Sequence, residues 1–98
     1  MTGTVNEWRS TEVDLSDNIT TISNVPCLVL GVYINATMSA HDCPLMDETT
    51  QVDVVPSGAL IGNAYNFGPD RYETNLIVDP DDSATGKIAV KWKELARQ

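Results

Sequence analysis

Lys87-Ile88-Ala89-Val90-Lys91-Trp92-Lys93 alternates without a break, placing Ile88, Val90 and Trp92 on one side of an extended chain and Lys87, Ala89, Lys91 and Lys93 on the other. A period of two is the signature of a strand with one face in a core and one in water, and a helix could not gather that apolar set on one stripe. Residues 71–78 form another apolar-rich run, and the segment 79–86 between the two carries Asp79, Pro80, Asp81, Asp82 and Gly86. Proline and glycine supply turn geometry, and short acidic side chains bond their own backbone. The region therefore predicts strand, acidic turn, strand: a closing hairpin.

The remainder repeats this grammar. Residues 1–7 are polar and read as an N-terminal arm, residues 8–95 as a single domain, and residues 96–98 as a C-terminal tail. Strands are expected at 8–15, with Val13 and Leu15 on one face, and at 19–22, 45–47 and 51–55. A further run at 59–67 is closed by Gly68-Pro69-Asp70 as a tight turn. In residues 27–35, strict alternation puts Leu28, Leu30, Val32 and Ile34 on one face and Cys27, Val29, Gly31 and Tyr33 on the other, so both faces are apolar. A sandwich buries only one face of each sheet, so the outer face of such a strand needs a cover, either the arm or another copy of the chain. Six to eight short strands at intervals of roughly ten residues predict an all-β fold, a small antiparallel β-sandwich or jelly-roll-like domain.

Composition limits what such a domain does. Ninety-eight residues supply one core and leave no room for a cleft between lobes. Fourteen acidic against six basic residues give a net charge of −8, which repels phosphate backbones, so nucleic acid is not an expected partner. The longest apolar run falls short of the roughly 18 residues a membrane helix needs, and the chain does not open on a basic and then apolar leader, so neither membrane insertion nor secretion is expected. Cys27 opens an apolar strand while Cys43 sits in a turn-like segment with Pro44, and free buried thiols are the expected state. The sequons Asn18-Ile19-Thr20 and Asn35-Ala36-Thr37 read as turn and strand-end residues.

Chemistry is sparse. His41-Asp42-Cys43 brings imidazole, carboxylate and thiol together, but neighbours on extended chain point to opposite faces, and no second histidine exists to complete a zinc site or base pair. It reads as a surface loop. The acidic segment 79–86 has the composition of a calcium loop without its alternate-position spacing or distal glutamate, and reads as turn. Trp92 belongs to the core by register, whereas Trp8, Tyr65 and Tyr72 would make a sugar-stacking platform if they shared a surface. The residues point to no catalytic group, metal or cofactor; the expectation is a protein that is not an enzyme.

Taken in order, Gly31-Val32-Tyr33-Ile34-Asn35, Asp47-Glu48-Thr49-Thr50, Tyr65-Asn66-Phe67-Gly68, Leu76-Ile77-Val78 and Gly86-Lys87-Ile88-Ala89-Val90-Lys91-Trp92 resemble the small β-sandwich structural proteins of tailed bacteriophages. In these proteins a strand ending Val-x-Ile-Asn, a short D-x-T hairpin, an aromatic-Gly turn and a G-x-I-x-V last strand follow one another. The resemblance covers residues 25–93 and implies a virion component on the capsid exterior. It would be a capsid decoration or cement protein, made in the host cytoplasm, that binds the major capsid protein as a homo-oligomer, typically a trimer. A tail or head-fibre receptor-binding module and a carbohydrate-binding sandwich are the alternatives. The contact residues expected on this reading are Trp8 and Arg9, reaching a capsid or sister subunit, and Cys27, Val29 and Tyr33 on a self-association face, since tryptophan and arginine dominate interface energetics.

Overall fold

A computed structural model describes residues 7–95 of the chain, so the residues 1–6 of the expected arm and the tail at 96–98 lie outside the described residues. Eight strands follow in order: β1 (Arg9–Asp14), β2 (Thr20–Ser23), β3 (Cys27–Ala36), β4 (Cys43–Asp47), β5 (Thr50–Val55), β6 (Ala64–Tyr72), β7 (Leu76–Val78) and β8 (Lys87–Glu94). They form two four-stranded antiparallel sheets, a front sheet ordered β1-β8-β3-β6 and a back sheet ordered β2-β7-β4-β5. Apart from the β4–β5 hairpin, every connection passes from one sheet to the other. That order is the double Greek key of a jelly roll. The all-β sandwich expected from the turn spacing is thus the observed fold.

The core is the space between the sheets. Ile88, Val90 and Trp92 are buried as their alternation requires, and Val13 and Leu15 join them from β1 and the residue beyond it. The back sheet answers with Cys43, Leu45, Val55, Leu76 and Val78, all fully buried. Each such aliphatic side chain contributes roughly 1.5–3 kcal/mol by leaving water.

Three expectations are corrected. The closing hairpin does not exist: β7 pairs with β2 and β4, β8 pairs with β1 and β3, and residues 79–86 cross between sheets. Arg71 and Tyr72 belong to β6, which continues through the cis Gly68-Pro69 bond with a bulge where a turn was expected. The third correction concerns β3. Leu30 is an extra residue against β8, because Val29 faces Trp92 while Gly31 faces Lys91, its neighbour. A bulge of one residue inverts every later side chain. Cys27 and Val29 therefore face the core together with Val32 and Ile34, and the strand has one apolar inner face after all.

Antiparallel alternation gathers four crossovers, 15–19, 37–42, 56–63 and 79–86, at one end. Their backbones are tied together by Leu15 N–H to Gly86 O (2.8 Å), Met38 N–H to Ala59 O (2.8 Å) and Ser39 N–H to Thr85 O (3.0 Å). Gly86 has φ +120°, and a Cβ there would stand 2.9 Å from the Met38 Cα, so glycine is required where these loops meet. At the opposite end the Asp47 carboxylate accepts the backbone N–H groups of Glu73 (2.7 Å), Thr74 (3.1 Å) and Asn75 (3.3 Å), locking the β6–β7 turn to the β4–β5 hairpin.

Candidate contact surface

The bulge at Leu30 also builds the outer face of the front sheet. β6 lodges Phe67, Gly68 and Pro69 between the residues that pair with Gly31 and Val29. Its backbone comes so close that a Cβ on Gly31 would overlap the Tyr65 carbonyl oxygen, at 2.1 Å. With no side chain at Gly31 and only methyl groups at Ala64 and Ala89, the face is hollowed beside Tyr33, leaving a concavity of about 280 Å³ that Leu30, Asn66 and Lys91 also line. Tyr33 stands at its rim, 48% exposed. Leu28, half-buried, shares this outer face because it pairs with Lys93.

Trp8 precedes β1 and is 37% exposed, with Lys93 Nζ 4.8 Å from its ring centre. Arg9 lies across the other face of the strand: its guanidinium carbon is 4.9 Å from the Trp92 ring centre and one nitrogen is 3.7 Å from Glu94. Arg9 pairs with Trp92 and Tyr33 with Ala89, so the two positions are separated by about 10 Å along β8. Of the residues expected at an interface, Trp8, Arg9 and Tyr33 are accessible on the front sheet. Cys27 and Val29 are wholly buried between the sheets and are withdrawn from it, because the alternation that placed them beside Tyr33 is broken at Leu30.

Charge is divided between the sheets. Among the described residues the basic side chains are Arg9, Arg71, Lys87, Lys91 and Lys93, all on front-sheet strands, which also carry Glu12, Asp14, Asp70 and Glu94, while the back-sheet strands carry only Asp47 and Asp53. Asp42, Asp79, Asp81 and Asp82 lie on the crossover loops. Arg9, Arg71 and Lys87 are ion-paired with Glu94, Glu73 and Glu12, so the positive charge beside the exposed aromatics comes from Lys91 next to Tyr33 and Lys93 next to Trp8, in a protein of net charge −8.

The other candidates come apart. Cys43 is buried in β4, so His41, Asp42 and Cys43 do not converge: His41 Nδ1 is 3.0 Å from the Ser39 hydroxyl and the Asp42 carboxylate accepts the Ser57 N–H at 2.8 Å. Burial pushes both thiols up, Cys27 to about 11 and Cys43 to about 12, so they are protonated, and both cysteines are free. Asp81 accepts the Ser83 N–H at 2.9 Å, the self-bonding expected of turn aspartates, and no group of three or more potential metal ligands occurs among the described residues. Tyr72 is fully buried and Tyr65 packs on the core, so neither makes a stacking platform with Trp8.

One cluster escaped the sequence reading. The Tyr72 hydroxyl donates to Asp53 Oδ2 at 2.8 Å, and Asp70, two residues before Tyr72 on β6, faces the same inner side opposite the buried Val29. Its signal was present as an aspartate inside the apolar run Val52-Asp53-Val54-Val55. No family model, curated protein or solved structure matches the chain.

Proposed function

We propose that the protein acts by contact rather than catalysis, as a jelly-roll assembly module whose working surface is the outer face of the front sheet. The observation that carries this reading is the exposure of Trp8 and Tyr33 on the front sheet beside Lys93 and Lys91, around the hollow at Gly31, in a strongly acidic chain. Aromatic anchors beside cations are the composition of interface centres, and the cations select a partner surface rich in carboxylates. Joined to the resemblance to small phage sandwich proteins, the reading becomes a decoration protein that clamps the major capsid protein as a trimer on the capsid exterior.

The test is to measure the mass of the purified protein by light scattering and its co-sedimentation with shells of the major capsid protein encoded in the same genome. A trimer that sediments with shells, and loses them on Trp8→Ala or Tyr33→Ala with its unfolding midpoint unchanged, is the expected result. A monomer that stays in the supernatant overturns the capsid role.

A further inference from the structure

The two sheets meet at an open edge where β5, the last strand of the back sheet, faces β6, the last of the front sheet. Inner-face positions on edge strands normally carry apolar side chains, yet each of these strands turns an aspartate inward. Asp53 pairs with Leu45 and Asp70 with Val29, both fully buried, so the two carboxyls share the inner side of the sandwich from opposite sheets. The Tyr72 hydroxyl reaches from β6 across to Asp53 Oδ2, a bond of 2.8 Å between the sheets. We propose that Asp53 and Asp70 form a proton-gated clasp across this edge, closed while the pair holds a shared proton and loosened when that proton leaves.

Each neighbouring element favours a shared proton over two charges. From β6, Tyr72 stays a donor, because burial first and then Asp53 hold its hydroxyl well above its ordinary range. Arg71, next to Asp70, pairs with Leu28 on the outer side and is engaged by Glu73 at 2.9 Å. From β3 the ionisable group is the Cys27 thiol, which burial keeps neutral. From β4 the residue opposite Asp53 is Leu45, which cannot ionise. Two carboxylates in such a place cannot both be charged without repulsion. Burial, and next the hydrogen bond with Asp70, push the Asp53 carboxyl from 3.8 up to about 7, against the smaller opposing pull of the Tyr72 hydroxyl.

The direction of the pH response follows. The closed clasp retains a proton that an open or unfolded chain has already released, so its stability is full below about pH 4. Between about pH 4 and 7 the closed state loses up to about tenfold of its advantage per pH unit, and above that the loss is complete and level. The edge between β5 and β6 is therefore loosest at neutral and alkaline pH and tightest in acid, the reverse of a sandwich held by paired carboxylates.

Carboxyl-carbon NMR of the wild-type full chain from pH 3 to 9 tests this without any substitution. One of the two aspartates should titrate near pH 7, and ordinary titration of both near pH 4 would overturn the clasp. Thermal midpoints measured over the same range for Asp70→Asn give the second arm, in a His41→Gln background that removes the only histidine. The fall in midpoint from pH 4 to 7 should flatten, because an amide beside Asp53 donates without adding charge. An unchanged slope in Asp70→Asn refutes the pairing.

Discussion

β8 and β3 lie side by side in the front sheet, both rich in apolar residues, yet they were built under different constraints. β8 alternates without interruption and pairs with a regular strand, β1, from Arg9↔Trp92 to Asp14↔Lys87 without a shift. β3 must also accommodate β6, which sets three residues, Phe67, Gly68 and Pro69, against the single Leu30 and displaces the ladder there. The result is two kinds of apolar strand: one whose faces follow from period two alone, and one whose faces change hands midway. The irregular strand carries the exposed Tyr33 and the hollow beside it, so the departure from regular pairing is what gives the front sheet a shaped surface.

The largest test of that difference falls on Gly31. Its missing side chain lets β6 approach, and even a methyl group would meet the Tyr65 carbonyl. Gly31→Ala should cost about 4 kcal/mol in urea denaturation, since the Tyr65–Asn66 backbone it would strike is held in the β3–β6 ladder. The methyl-sized change in the opposite sense at Ala89→Gly, on the outer face of β8, should cost about 1 kcal/mol or less. Comparable losses at the two sites would mean that β6 does not pin the bulge.

The inversion itself is tested by Val32→Ser against Leu30→Ser. Unbroken alternation puts both residues on one face and predicts similar costs. With Leu30 in the bulge, Val32 is buried and Leu30 only partly so, and the expected losses are about 3 kcal/mol for Val32→Ser and about 1 kcal/mol for Leu30→Ser. Equal effects would restore the simple strand.

These two strands also explain what the sequence disclosed. Ile88, Val90 and Trp92 were legible as core because a half-buried strand with regular partners leaves its pattern directly in the residue order. The eight-strand sandwich was legible for the same reason, repeated at each turn. Pairing was not: the acidic segment 79–86 has turn chemistry whether it closes a hairpin or crosses between sheets, and only the partners of β7 and β8 decide which. Cys27 and Val29 were assigned to the wrong side because the bulge at Leu30 is imposed by β6, distant in sequence. Asp53 was overlooked because an aspartate between valines is readable as a solvent-facing residue, whereas its pairing with the buried Leu45, in register with Val55 and Cys43, turns it inward.

A smaller effect is expected at the arm end of β8, where regular alternation is reinforced by a polar contact. The Trp92 indole N–H donates to the Thr11 hydroxyl at 3.0 Å, and the Arg9 guanidinium lies over the ring. Thr11→Val removes the acceptor and should cost about 1 kcal/mol, because it strands the indole N–H at a position almost without solvent. Trp92→Phe removes the donor too, and combining both changes should cost less than the sum of the two in a double-mutant cycle. Additive losses would show that the bond contributes nothing and that β8 is held by its apolar face alone.

The smallest stability effects belong to the outer face, where the two strands are expected to part most clearly in function. Tyr33 on β3 and Lys91 on β8 both border the hollow, and neither side chain supports the core. Tyr33→Ala and Lys91→Glu should each change the unfolding free energy by about 0.5 kcal/mol or less. Their effects on association should differ in kind. Removing an aromatic anchor from the centre of a contact typically costs about 2 kcal/mol or more, a drop of roughly thirtyfold in affinity, and that loss should persist at high salt. Reversing the charge of Lys91 should act mainly on the association rate, and its effect should fade as ionic strength rises, because the cation steers an acidic partner from a distance that salt screens. Measured by co-sedimentation and by association kinetics at low and high salt, that split would place the energetic centre of the contact on the bulged strand and its steering on the regular one. Two equally salt-sensitive losses would instead make the face a diffuse electrostatic patch in which the hollow beside Tyr33 has no part.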